Sequence, residues 1–165
     1  MGTPFTEIYD LALIVINDTK INKLYEYSLE NKDDAFYTYM EGFLIRAIPL
    51  FDGSLISLDF DLNTKAFKNE LSIKEKDVLA NIIERLWWKS ELNVDEYIAL
   101  GLQGRDRKTH SEASNINAKS DHMVKLREEI SQIITNYQLD NFDTVLKGWW
   151  LGLFLSSPFL SPFKC

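Results

Sequence analysis

With 165 residues, 45% hydrophobic and 13% aromatic, the chain can bury a core of its own and is too apolar for a disordered chain. A formal charge of -7 excludes a molecule that grips nucleic-acid phosphates over its whole surface. The single cysteine, Cys165, excludes an intrachain disulfide framework or a multi-cysteine metal site and suits a reducing compartment.

The elements follow in chain order. A first helix is expected over residues 4–17, with Thr3 as N-cap, Pro4 in the first helical position and Glu7 as the capping-box acid. Phe5, Ile8, Leu11 or Ala12, and Val15 give it an apolar face. The N-terminus has acids at Glu7 and Asp10 and no basic region, so it does not read as a signal peptide. Met1-Gly2 with Thr6 matches the short myristoylation pattern, but no polybasic stretch follows to complete an anchor. Residues 17–20 read as a turn, and a short helix is expected near Ile21–Ser28.

The next helix begins at Asp33 or Asp34. Phe36, Tyr39, Met40, Phe43, Leu44, Ala47 and Ile48 form one wide apolar face, and Pro49 ends or bends it. Then the period changes. Ile56, Leu58, Phe60 and Leu62 alternate with more polar residues, which predicts a half-buried strand. Asn63-Thr64-Lys65 makes a turn, and residues 66–69 return as a second strand, giving a hairpin over about 55–69. A lone hairpin is marginal and needs helices or a neighbouring subunit behind it.

Ser72 and Glu75 form a capping box that opens a helix through Val78, Leu79, Ile82, Ile83, Leu86 and Trp87. Helical structure is expected to restart at Asn93 or Asp95, and Gly101 and Gly104 to loosen the chain after it. Ile116, Met123, Ile130 and Tyr137 fall at spacings of seven, with Leu126, Ile133 and Ile134 between them, the stripe of a packed helix over about 115–137. Asp140 and Asp143 mark a further helix start. The tail, residues 156–165, holds two prolines and is expected to be extended. The fold class is mainly α: one domain, a helical bundle with a small inserted β-hairpin.

Chemistry-bearing motifs are scarce. His110 and His122 lack the spacing of metal ligands, so no metal or cofactor is expected. Ser111 adjoins His110 but neighbours on a helix do not face each other, and no nucleophile elbow or phosphate loop occurs. Asp33-Asp34 and Asp59/Asp61 read as a helix cap and strand-edge charges. No catalytic residues are therefore expected. Residues 1–100 carry 10 basic and 18 acidic side chains, while 101–130 carry 6 and 5. Arg105, Arg107 and Lys108 stand in the second stretch. They read as a nucleic-acid contact, a solvated turn, or a contact with the acidic half of a neighbouring copy, and three bases with one acid and no interleaved aromatic make a weak footprint for the first. "WWLGLFL" at 149–155 is far too short to span a membrane. Trp149 and Trp150, like Trp88 beside Trp87, are candidates for packing in a core or against a partner.

Four blocks taken in order, "TPFTEIYDLAL", "YMEGFLIRAIPLF", "FDLNTKAFKNELSIKEKDVLANII" and "QGRDRKTHSEASNINAKSDHMVKLREEISQIITNYQL", resemble small structural proteins from the morphogenesis modules of tailed bacteriophages of Gram-positive hosts. The resemblance covers roughly residues 3–139 and rests on block order, since none of the blocks is a mechanistic motif. It implies a mainly helical neck, head–tail connector or tail-completion component of the virion, made in the host cytoplasm. Such a protein has no active site and works as a homo-oligomeric ring between portal and tail. Its partners would be itself and other virion proteins such as portal, adaptor or tail proteins, with DNA passing the lumen unbound and no membrane contact. The alternative is a soluble helical adaptor that binds one other protein. A nucleic-acid binder or enzyme using residues 105–122 is a third reading.

Overall fold

The computed structural model describes the backbone of residues 2–102, 109–142 and 146, and the side chains of residues 2–94, 116–142 and 146. Among them are five α-helices and one two-stranded antiparallel sheet, a mainly helical bundle with a small hairpin.

Helix α1 spans Phe5–Ile16 and α2 spans Thr19–Asn31. The turn between them is as short as the sequence suggests. Asn17 closes α1 in the left-handed region (φ 42°), and Asp18 caps α2 by accepting from the Lys20 N–H at 2.7 Å. The second helix is thus longer at both ends than the expected 21–28. At α1 the expected cap is corrected. Pro4, not Thr3, is the N-cap, and no side chain caps this helix. The Thr3 hydroxyl is buried and accepts instead from the Leu71 N–H at 2.7 Å. Glu7 pairs with Lys76 of a later helix at 2.6 Å.

Helix α3 spans Ala35–Ala47, followed by a 3-10 turn at Ile48–Leu50 that contains Pro49. The Asp33 carboxylate accepts from the Ala35 N–H at 3.0 Å, so Asp33 rather than Asp34 supplies the side-chain bond at this start. The buried Ser28 hydroxyl accepts from the Phe36 N–H at 2.9 Å and ties α2 to α3.

The hairpin is shorter than its alternating pattern predicts. Strand β1 is Phe60–Asp61 and β2 is Ala66–Phe67, with Phe60 opposite Phe67 and Asp61 opposite Ala66. Ile56 and Leu58 still pack on the core, but from an irregular segment, and Leu62 is 49% exposed. The period reports burial on one side, not pairing, and too little partner backbone runs beside residues 55–59 to make a ladder. What backs the hairpin is the chain's own N-terminus. Phe67 N–H donates to the Thr3 carbonyl at 2.8 Å, Thr3 N–H to Asn69 at 3.1 Å, and Phe5 N–H to Lys65 at 2.9 Å. This edge of β2 is closed within the chain, where the sequence leaves it to helices or a neighbour.

Helix α4 spans Ile73–Leu102 without interruption, so the expected restart at Asn93 or Asp95 does not occur. Those residues read as caps, yet mid-helix polar residues are tolerated once the flanking turns pack. Helix α5 spans Thr109–Asp140, also longer than expected at both ends. The two run antiparallel, as their cross-contacts show: Lys74 meets Asp140, Glu75 meets Tyr137, and Trp88 meets His122.

The core lies where α1 and α3 pack on the first half of α4, closed by α5. Phe5, Ile8, Tyr9 and Ala12 of α1 meet Phe36, Met40 and Leu44 of α3 and Leu79, Ile82 and Ile83 of α4, all nearly inaccessible to solvent. Phe5 also meets Phe67 edge to face at 5.3 Å, which fixes the hairpin to the bundle.

Candidate functional site

Two places on the α4–α5 pair concentrate polar groups in apolar surroundings. The first is built on the Ser72–Glu75 capping box. Glu75 Oε2 accepts from the Ser72 N–H at 2.7 Å, and the Glu75 N–H donates to the Ser72 hydroxyl at 3.3 Å. That local motif turns the other carboxylate oxygen inward. Oε1 accepts from the Tyr137 hydroxyl at 2.5 Å, and the Tyr137 oxygen accepts from the Leu55 N–H at 3.2 Å. Glu75 is only 3% exposed and Tyr137 4%. Burial, joined by the adjacent Glu75 carboxylate, pushes the Tyr137 phenol up to about 12.

Over this network lies a groove of about 620 Å³ with Leu55, Ile56, Ile73, Tyr137 and Asn141 among its walls. Lys74 crosses one side to Asp140 at 2.5 Å. A smaller hollow of about 200 Å³ continues past that ion pair toward Val78 and Ile133.

The second place is halfway along the helix pair. Trp87 is buried, and its ring meets that of Trp88 at 4.8 Å. Trp88 also meets the ring of His122 at 5.2 Å, nearly perpendicular. Glu84, one turn before Trp88, is 8% exposed. Burial raises its pKa, the indole of Trp88 partly offsets the rise, and Glu129 across the seam adds to it. Among the described residues the Trp88 indole N–H nevertheless has no acceptor at good hydrogen-bond geometry.

The sequence candidates divide accordingly. Trp88 is half-buried and already meets two rings of its own chain, with its remaining surface left for a partner. Arg105, Arg107, Lys108, Trp149 and Trp150 lie outside the described residues, as does the tail 156–165. His122 is a packing partner of Trp88, and the backbone of His110 is helical. Asp61 accepts from the Asn63 N–H in the hairpin turn, a turn-forming role. No cluster of three potential metal ligands exists among the described residues, and no helix there is long and apolar enough to cross a membrane. The Glu75–Tyr137–Leu55 connection is absent from the sequence reading. Glu75 is visible there as a cap and Tyr137 as a stripe residue, but nothing in the spacing joins them.

Comparison with protein-family models, with curated proteins and with solved structures finds no match for this chain.

Proposed function

We propose that the chain is a non-enzymatic virion structural protein of a tailed phage, a head–tail connector or neck component assembled as a homo-oligomeric ring. The observation that carries the assembly part is apolar surface left in solvent. Ile14 is 71% exposed, Val124 56%, and Tyr27 and Leu29 54% each, spread over three helices. Scattered apolar residues are ordinary on a monomer, but residues this large and this open on several faces suit contacts with more than one neighbour. The ordered resemblance of the four sequence blocks supports the phage setting. The surplus of acids in residues 1–100 suits a DNA passage that does not retain DNA, and Arg105, Arg107 and Lys108 are complementary to it in charge. Trp88, Trp149 and Trp150 would add aromatic contacts to neighbouring subunits or to portal, adaptor and tail proteins.

Native mass spectrometry of the purified chain, with negative-stain imaging, tests this reading. Closed rings of one stoichiometry are expected. A chain that stays monomeric at high concentration and is missing from particles overturns it. A monomer that captures one virion-unrelated protein tightly would instead favour the adaptor reading, for which the half-buried Trp88 is the specific support.

A further inference from the structure

We propose that the groove over Glu75 and Tyr137 is the docking site for the chain's own C-terminal segment, residues 156–164, "SSPFLSPFK".

The first argument is reach. Asn141 lines the groove, and the described chain continues only to Leu146. Ser156 is ten residue steps beyond Leu146, a chain that spans up to about 33 Å when extended. The segment therefore has ample chain to reach the groove. Tethering at that distance gives a high effective concentration, so weak contacts suffice to hold it.

The second argument is chemistry. The groove wall is apolar at Leu55, Ile56 and Ile73, and Ile73 is the most exposed large hydrophobic residue among those described. Next in sequence to the lining residues Asp140 and Asn141, Leu139 and Phe142 are also more than half exposed. The segment offers Phe159, Leu160 and Phe163, large enough to fill a hollow of about 620 Å³. Pro158 and Pro162 rule out a continuous helix there and favour the extended form that lies along a groove.

The third argument is charge. The groove lining has three carboxylates, Glu70, Glu75 and Asp140, against one base, Lys74, which is already paired with Asp140. The segment carries Lys164 and no acid. Lys164 placed at the Glu70 side would meet a carboxylate with no ion-pair partner among the described residues.

Cys165 is the only cysteine, so the full-length chain can take a single nitroxide label one residue beyond the segment. Paramagnetic loss of the Leu55, Ile56 and Ile73 amide signals is expected, and its disappearance in the Phe159→Ser, Leu160→Ser, Phe163→Ser triple variant. Ile73→Glu, an exposed change that spares the core, should restore the signals of Leu55 and Ile56. Undiminished signals in the unmutated labelled chain overturn the proposal. Mixing isotope-labelled, nitroxide-free chain with nitroxide-bearing, isotope-free chain separates the sources. Signal loss in that mixture means that the segment of a second copy fills the groove, which also overturns it. Ring formation is read independently, so its failure leaves this result intact.

Discussion

Tyr137 places its hydroxyl 2.5 Å from Oε1 of Glu75, closing a buried link between residues 62 positions apart. The same phenol oxygen accepts from the Leu55 N–H, so one side chain joins the start of α4, the end of α5 and the segment before the hairpin.

Removing that hydroxyl should therefore cost more than one average hydrogen bond. Tyr137→Phe leaves a buried carboxylate oxygen and the Leu55 N–H short of a partner. A loss of about 1–3 kcal/mol is expected in urea unfolding, the range for leaving a buried polar group unpaired. A loss below the error of the measurement would mean that water serves the site equally well.

The same group sets an alkaline limit. Its folded pKa is raised from 10.0 to about 12, so the folded state holds the proton more tightly than the unfolded chain does. The stability this contributes is complete below pH 10 and is lost as pH rises toward 12. Unfolding followed across that window should show a downward slope that Tyr137→Phe makes shallower.

Glu84 works in the opposite part of the scale. Its pKa is raised from 4.5 by burial, which the Trp88 indole partly offsets, and by Glu129, so the charged form is the one that burdens the fold. The contribution of its protonated form is fully present below 4.5 and fades as pH rises through the raised folded value. Glu84→Gln should raise the melting temperature at neutral pH and flatten the pH dependence above 4.5. A lower melting temperature in the variant at neutral pH would contradict the assignment.

Gly2 is held by approach rather than by conformation. A Cβ there would lie 1.7 Å from the Phe67 carbonyl oxygen, which is backbone and cannot swing aside. Gly2→Ala should detach the N-terminal segment from β2 and speed amide exchange at Phe67, whose N–H donates to Thr3. Unchanged protection at Phe67 would show that the segment shifts without leaving.

Arg105, Arg107 and Lys108 changed together to Ala should weaken association between copies, and more so at low salt, where charge complementarity counts most. Sedimentation velocity at two salt concentrations measures this. Unaltered assembly at both would remove the charged contact from the proposed ring.

Much of the helical layout could be read from spacing, because burial against one surface imposes a 3.6-residue period wherever a helix packs. Most of the apolar-face residues of α1, α3 and early α4 are found inside, with Tyr39 at 38% exposure the exception, and the Ser72–Glu75 box appears as its sequence states. Local signals misled where a neighbour in space decided the outcome. Thr3 has the chemistry of a cap but serves Leu71, and Asn93 and Asp95 have the chemistry of a helix start but lie inside α4. The alternation of Ile56, Leu58 and Phe60 records a buried side, not a ladder, since among the described residues the β1–β2 ladder holds four residues and excludes Ile56 and Leu58.

By itself the sequence determined a mainly helical class, the position of the hairpin turn, the capping of α4 and most of the core faces. These depend on residues within one or two turns of each other, where side-chain period and capping geometry are local. Only the tertiary structure decided that Glu75 meets Tyr137, that the N-terminus closes the hairpin edge, and that Trp88 meets His122. Those contacts join residues far apart in the chain, and their partners are chosen by how the buried faces pack, which no local spacing encodes.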